Sequence, residues 1–129
     1  MSIIFSSVNI DAISFINSKN DMRFDFHEST ISYNLCGSLS CKDILLLKLK
    51  NNFDSDEDRL LPYFICDVSA LKLNSLEEIE EKFKQLNHDY SGMSENNEYY
   101  FVSFDGGDID VKIICKSIDI LKENSIDGN

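Results

Sequence analysis

Residues 98–115 read EYYFVSFDGGDIDVKIIC, two strand-like segments joined through a pair of glycines. Side chains alternate between the two faces of a strand, so placing Phe104 opposite Ile109 gives the paired segments one wholly apolar face. Gly106 and Gly107 permit the positive φ angles of a tight two-residue turn. The sequence therefore predicts a C-terminal β-hairpin over about residues 98–116.

Other strand-length segments precede the hairpin. Alternating or short apolar runs occur at residues 22–26, 30–35, 43–50 and 61–68, and each is typical of a strand. The segment Asn9–Asn17 fits a short helix with Ile10 and Ile13 facing inward, although its β-branched residues count against a helix. Most of the chain is thus expected to form antiparallel strands.

One helix is predicted over about residues 75–87. Ser75 and Glu78 have the spacing of a capping box, in which each satisfies a free N–H group at the start of the helix. One face carries apolar residues at helical period, namely Leu76, Ile79, Phe83 and Leu86. The opposite face carries Glu77, Glu80 and Glu81, with Glu78–Lys82 and Glu80–Lys84 at the spacing of helical ion pairs. The predicted fold class is α+β, a mainly antiparallel β-sheet with one amphipathic helix.

The composition indicates one acidic globular domain over residues 1–129, with a frayed tail at about 123–129. The chain has 23 Asp and Glu against 12 Lys and Arg, a net charge of −11. Its N-terminal segment does not resemble a secretory signal, and no apolar run approaches the length of a membrane span. We expect a cytoplasmic protein. Its cysteines, Cys36, Cys41, Cys66 and Cys115, are expected to be free thiols rather than two disulfides.

The negative charge disfavours nucleic acid and anionic membranes and favours a cationic protein partner. Acidic residues recur in the segment after residue 53, on the helix face and around the hairpin turn. The predicted partner-binding residues are Asp54, Asp56, Glu57, Asp58, Glu77, Glu80, Glu81, Asp105, Asp108 and Asp110. Asp105 and Asp108 are expected to lie close together, where their mutual repulsion costs free energy unless a cation relieves it.

Motifs for catalysis or metal binding are weak. His27 or His88 with Cys41 or Glu28 is the best catalytic combination, and it rests on residue type alone. Asp54, Asp56 and Asp58 match the first half of a calcium-binding EF-hand loop, but Arg59 stands where that loop needs glycine. Cysteine spacing does not favour zinc. The sequence predicts no enzyme, no metal and no cofactor.

Two segments resemble a known family. Phe26-His27-Glu28-Ser29-Thr30-Ile31, and the hairpin from Tyr100 to Ile109 running on to Ile118, are similar to small immunity proteins of bacterial polymorphic and contact-dependent growth inhibition toxins. The resemblance implies a cytoplasmic, non-enzymatic protein that binds one cognate toxin domain and blocks its active site or an essential surface. That toxin would be a basic nuclease, an RNase in preference to a DNase.

Two alternatives stay open on the sequence. An acidic module for calcium or another small ligand would owe its charge to coordination of that ligand. An accessory subunit of a larger assembly would bind a housekeeping complex instead of a toxin.

Overall fold

The structure is a computed structural model that describes residues 2–16, 20–28, 35–52, 62–87 and 98–123. Within these ranges the elements are, in chain order, β1 (Ser2–Ile16), β2 (Asp21–Glu28), β3 (Leu35–Asn51), β4 (Tyr63–Leu73), α1 (Leu76–Gln85), β5 (Tyr99–Asp105) and β6 (Ile109–Lys122). The expectation of a mainly antiparallel sheet with one helix is confirmed. In the predicted tail, the Glu123 N–H donates a hydrogen bond to the Cys36 carbonyl at 3.0 Å. Residues 124–129 lie outside the described ranges.

The strands form a closed antiparallel barrel in the order β1-β2-β3-β6-β5-β4. Closure depends on β1, which pairs with β2 along one edge and with β4 along the other. Val8, for example, lies between Glu28 and Ile65. The helix predicted at Asn9–Asn17 is therefore wrong, because residues up to Ile16 are strand. Pairing on both edges satisfies more backbone groups there than a short β-branched helix could.

Phenylalanine rings fill the interior of the barrel. Phe24 and Phe26 from β2 and Phe104 from β5 are fully buried, and Phe5 from β1 is nearly so. The ring centroids of Phe5 and Phe26 lie 4.8 Å apart, and those of Phe24 and Phe104 lie 4.7 Å apart. Aromatic side chains bury large areas and dominate core energetics. The predicted apolar face of the hairpin lies in this core, through Val102, Phe104, Ile109, Val111 and Ile113.

The hairpin is present, but its predicted register is wrong by two residues. Phe104 lies opposite Val111 instead of Ile109, and a shift of two leaves every side chain on its expected face. The connection is longer than two residues because its tip bonds to the start of β4. Asp108 N–H donates to the Phe64 carbonyl at 2.8 Å. A Cβ atom at Gly107 would lie 2.0 Å from that carbonyl oxygen, so only glycine fits there.

The helix α1 seals a second apolar cluster on the outer surface of the barrel. Ile79 and Phe83 are buried against residues of four strands, namely Leu46, Leu73, Tyr99, Phe101 and Ile114. The predicted N-cap is confirmed, because Ser75 Oγ accepts from Glu78 N–H at 3.2 Å. The predicted ion pairs do not form among the described residues: Glu78 accepts from Asn74 N–H at 3.3 Å, and Lys82 Nζ lies 4.6 Å from the centre of the Phe101 ring.

All four cysteines are free thiols, as the sequence predicts. Cys41 and Cys115 are fully buried inside the barrel. A hydrogen bond with Cys115 and burial both raise the pKa of the Cys41 thiol well above its ordinary value. Cys66 is only half-buried, and its Sγ donates to the Gly106 carbonyl.

Candidate functional site

The hairpin tip brings Asp105, Ser103 and Lys112 together on the outer surface of the barrel. Lys112 Nζ donates to both Asp105 Oδ1 and Ser103 Oγ, the latter at 2.6 Å, and Ser103 Oγ donates to Asp105 Oδ2. Lys112 is the cation that relieves the negative charge of this tip. Burial opposes ionisation of Asp105, but the hydrogen bonds from Lys112 and Ser103 outweigh it and hold the pKa of Asp105 below its ordinary value.

The other two acidic residues of the hairpin also face groups of their own chain. Asp108 Oδ2 accepts from Phe64 N–H at 2.9 Å, and the Asp108 carbonyl accepts from Asn52 N–H at 2.8 Å. Asp110 lies opposite Lys50 in the pairing of β3 with β6. The hairpin carboxylates thus hold the end of the barrel together, and their surplus negative charge is partly neutralised locally.

The outward face of α1 is different, because its acidic side chains project into solvent. Glu77, Glu80 and Glu81 are all exposed, and none of them forms an ion pair with another described residue. The buried side chains Ile79 and Phe83 fix the helix on the barrel and so fix where these three carboxylates lie. Among the predicted partner-binding residues that the structure describes, these three form the one acidic group on an exposed helix face.

The remaining predicted site residues, Asp54, Asp56, Glu57 and Asp58, lie outside the described ranges. The calcium-loop alternative depends on the same segment and stays a hypothesis. Within the described residues, no group of three or more His, Cys, Asp or Glu side chains is arranged to hold a metal ion.

Of the candidate catalytic residues, His27 and Cys41 are not brought together. His27 pairs with Leu35, whereas Cys41 pairs with Met22, five residues away along β2. Five strand residues span roughly 16 Å. His27 is buried, with Nδ1 3.5 Å from Asp11 Oδ1, and His88 lies outside the described ranges.

The second half of β3 carries an exposed surface that was not predicted from the sequence. Leu45, Leu47 and Leu49 are 37%, 37% and 52% exposed, whereas the sequence pattern of residues 43–50 predicts a strand without saying which side chains are exposed. They line two neighbouring clefts, one of about 340 Å³ that includes Phe15 and one of about 520 Å³ that includes Lys48 and Lys50. The sequence feature that indicates this surface is the alternation Leu47-Lys48-Leu49-Lys50, which predicts a strand with one apolar and one basic face.

A protein-family model whose description reads “-like” matches residues 3–122. The chain belongs to this family. The match covers nearly all of the barrel and the whole of α1. No curated protein matches the sequence.

A solved structure has the same fold. The crystal structure of an uncharacterized protein from Neisseria gonorrhoeae matches with a TM-score of 0.61 and 24% sequence identity, over 92% of this chain and 94% of that chain. Neither this match nor the “-like” family description names a toxin, an immunity protein or an activity. The described part of the chain has no helix long and apolar enough to cross a membrane.

Proposed function

We propose that this protein is a cytoplasmic immunity protein that binds and neutralises a cognate toxin domain. One observation carries the proposal: in a chain of net charge −11, Glu77, Glu80 and Glu81 lie exposed on a helix fixed to a rigid barrel. A preorganised patch of one charge steers a partner of the opposite charge and accelerates association. The partner is accordingly a basic domain, and the resemblance to immunity proteins implies a nuclease, an RNase in preference to a DNase.

The arrangement of the fold supports a binding role over a catalytic one. Buried phenylalanine and aliphatic side chains occupy the barrel interior, and the two clefts described above include exposed residues of β3. Interfaces of this kind combine charged residues that set the association rate with a few buried anchors that set the dissociation rate. The α1 glutamates provide the first of these two contributions.

The other acidic residues are expected to contribute less to partner binding than the α1 glutamates. Asp105, Asp108 and Asp110 add to the long-range negative field, but their hydrogen bonds and pairing within the chain leave them less able to bond a partner. The segment with Asp54, Asp56, Glu57 and Asp58 is included on its charge alone. Rim charges of this kind affect the association rate and its salt dependence more than the lifetime of the complex.

The test uses the toxin domain encoded in the neighbouring reading frame, taken as the variable C-terminal domain of a large secreted protein. Replacing the three α1 glutamates together (E77Q, E80Q and E81Q) should slow association with that domain by about tenfold at low ionic strength and flatten its salt dependence. Stopped-flow fluorescence measures both quantities. Protection of cells that produce the toxin should fall in parallel.

A matched control removes three negative charges elsewhere. Glu28, Asp119 and Glu123 are exposed residues of β2, β6 and the segment after β6, away from α1. The variant with E28Q, D119N and E123Q should associate with the toxin domain faster than the α1 variant does. Equal slowing by both variants would assign the effect to net charge and reject the α1 patch. Failure of the native protein to bind the toxin domain or to protect cells would reject the immunity function itself.

A further inference from the structure

The second half of β3 has one unpaired edge within the described part of the chain. β3 pairs with β2 only as far as Cys41, whereas its pairing with β6 continues to Asn51. At the point where β2 begins, Ile44 N–H donates to the Asn20 carbonyl at 2.7 Å. Beyond Ile44, no described strand lies along the edge that faces away from β6.

Backbone hydrogen-bonding groups on this edge can be assigned from the pairing. Asn52 N–H donates to the Asp108 carbonyl of the hairpin, and successive residues in an antiparallel pair alternate between bonded and non-bonded positions. The N–H and carbonyl groups of Leu47, Leu49 and Asn51 therefore point away from β6. Such a row is a template for another strand.

One face beside this edge is apolar. Leu47 and Leu49 lie opposite Ile113 and Val111, which belong to the barrel core, yet both leucines are partly exposed because β2 does not extend over them. The adjoining cleft of about 340 Å³ is bordered by Phe15, which is 71% exposed. A contiguous exposed apolar surface of this kind is typical of an interaction site.

The opposite face beside the edge is basic. Lys48, Lys50 and Lys112 line the cleft of about 520 Å³ there together with Asp110, so lysines outnumber carboxylates in its lining. Lys112 is paired with Asp105, which leaves Lys48 and Lys50 as the cations that a partner would meet. Residues 44–51 contain these two lysines and no acidic residue, so this segment is positively charged in a chain of net charge −11. Lysine on an exposed edge discourages two like edges from pairing, which argues against a second copy of this chain as the occupant.

We infer that this edge binds an extended peptide segment in which acidic and apolar residues alternate. The segment adds a strand to β3, with its backbone bonded to Leu47, Leu49 and Asn51. Because side chains of paired strands share faces, its apolar residues lie beside Leu47 and Leu49 and its acidic residues beside Lys48 and Lys50. This surface has the opposite charge to the α1 patch, and the inference holds whether or not the partner is a toxin.

The probe is a capped, fluorescently labelled Glu-Val-Glu-Val-Glu-Val peptide added to the full chain. It should bind, slow hydrogen exchange at the amides of Leu47, Leu49 and Asn51, and lose affinity with added salt. Lys-Val-Lys-Val-Lys-Val should bind at least about tenfold more weakly. Fluorescence anisotropy and amide exchange followed by nuclear magnetic resonance measure these effects.

Two matched variants complete the experiment. Leu49 and Leu121 are exposed to similar extents, 52% and 54%, but only Leu49 borders the proposed surface. L49E should weaken binding of the acidic peptide about tenfold, because it places a like charge on the apolar face, and L121E should not. Absence of binding, equal binding of both peptides, or equal loss in both variants would overturn the inference.

Two further outcomes name a different occupant and also overturn it. If amides of Leu47, Leu49 and Asn51 in the free protein exchange as slowly as those of Lys48 and Lys50, the chain covers its own edge. If the free protein forms a dimer that L49E dissociates and L121E does not, the occupant is a second copy. Sedimentation velocity measures the second outcome.

Discussion

The contact between Asp105 and Lys112 makes a residue-scale prediction about pH. The pKa of Asp105 is lower in the folded chain than in the unfolded chain, so its ionised form stabilises the fold above the unfolded value of about 3.9. That stability is lost as the pH falls through the lower folded value. D105N should lower the free energy of unfolding by roughly 0.5–1 kcal/mol at pH 7, a modest effect because the carboxylate is half-exposed. The difference from the native chain should vanish in strong acid.

Urea denaturation at a series of pH values measures this difference, and Asp119 provides the control. Its ion pair with Lys42 is largely exposed, so D119N should change the free energy of unfolding less than D105N does. A D105N deficit that persisted unchanged into strong acid would assign the effect to lost packing and not to the charge of Asp105.

From the sequence, repulsion between Asp105 and Asp108 is costly unless a cation relieves it, but the sequence does not identify such a cation. A two-residue Gly106-Gly107 turn would place Lys112 opposite Phe101, too far along the strand to contact the carboxylates at the tip. In the structure Lys112 lies opposite Ser103, because the tip lengthens to bond Phe64. A hydrogen bond between residues 44 positions apart leaves no trace in local periodicity, so the register could not be derived from the hairpin alone.

At the scale of elements, α1 should depend on Phe83 for its attachment to the barrel. Phe83 is 4% exposed and packs in the second cluster with Phe101 and Ile114. F83A removes most of that contact and should lower the free energy of unfolding by about 3–5 kcal/mol. Thermal and urea denaturation followed by circular dichroism measure the loss. The neighbouring exposed residue provides the control, since K84A should change stability by less than about 0.5 kcal/mol. Equal effects would mean that the cluster contributes little.

Local signals explain why the sequence located α1 but misassigned β1. Ser75 and Glu78 mark the start of the helix within four residues, and the apolar period of Ile79 and Phe83 continues it. The segment Asn9–Asn17 carries an apolar spacing that fits a helix as well as a strand. What decides it is pairing with β2 and β4, and the β4 partners are more than 50 residues away. Closure of the barrel has the same non-local origin.

At the scale of the whole molecule, composition revealed the acidic character and missed the basic edge. Net charge is a sum, so it conceals the positive segment at residues 44–51. The exposure of Leu47 and Leu49 depends on where β2 begins relative to β3, a register that only the assembled barrel defines. The candidate site combines the end of β1 with the edge of β3. Sequence patterns cannot predict such a site, even when they assign its residues correctly to strands.

The net charge of −11 also predicts how the folded molecule responds to salt. Self-repulsion among exposed carboxylates destabilises the compact state, and salt screens it as the Debye length falls from about 10 Å at 0.1 M towards 3 Å at 1 M. Raising sodium chloride from 0.05 M to 0.5 M should increase Tm by roughly 3–5 °C, equivalent to about 1 kcal/mol. Differential scanning calorimetry at pH 7 measures the shift. The α1 variant with E77Q, E80Q and E81Q carries three fewer negative charges, so its Tm should rise by less. A Tm that fell with salt would show that ion pairs such as Lys112–Asp105 stabilise the fold more than the surplus charge destabilises it.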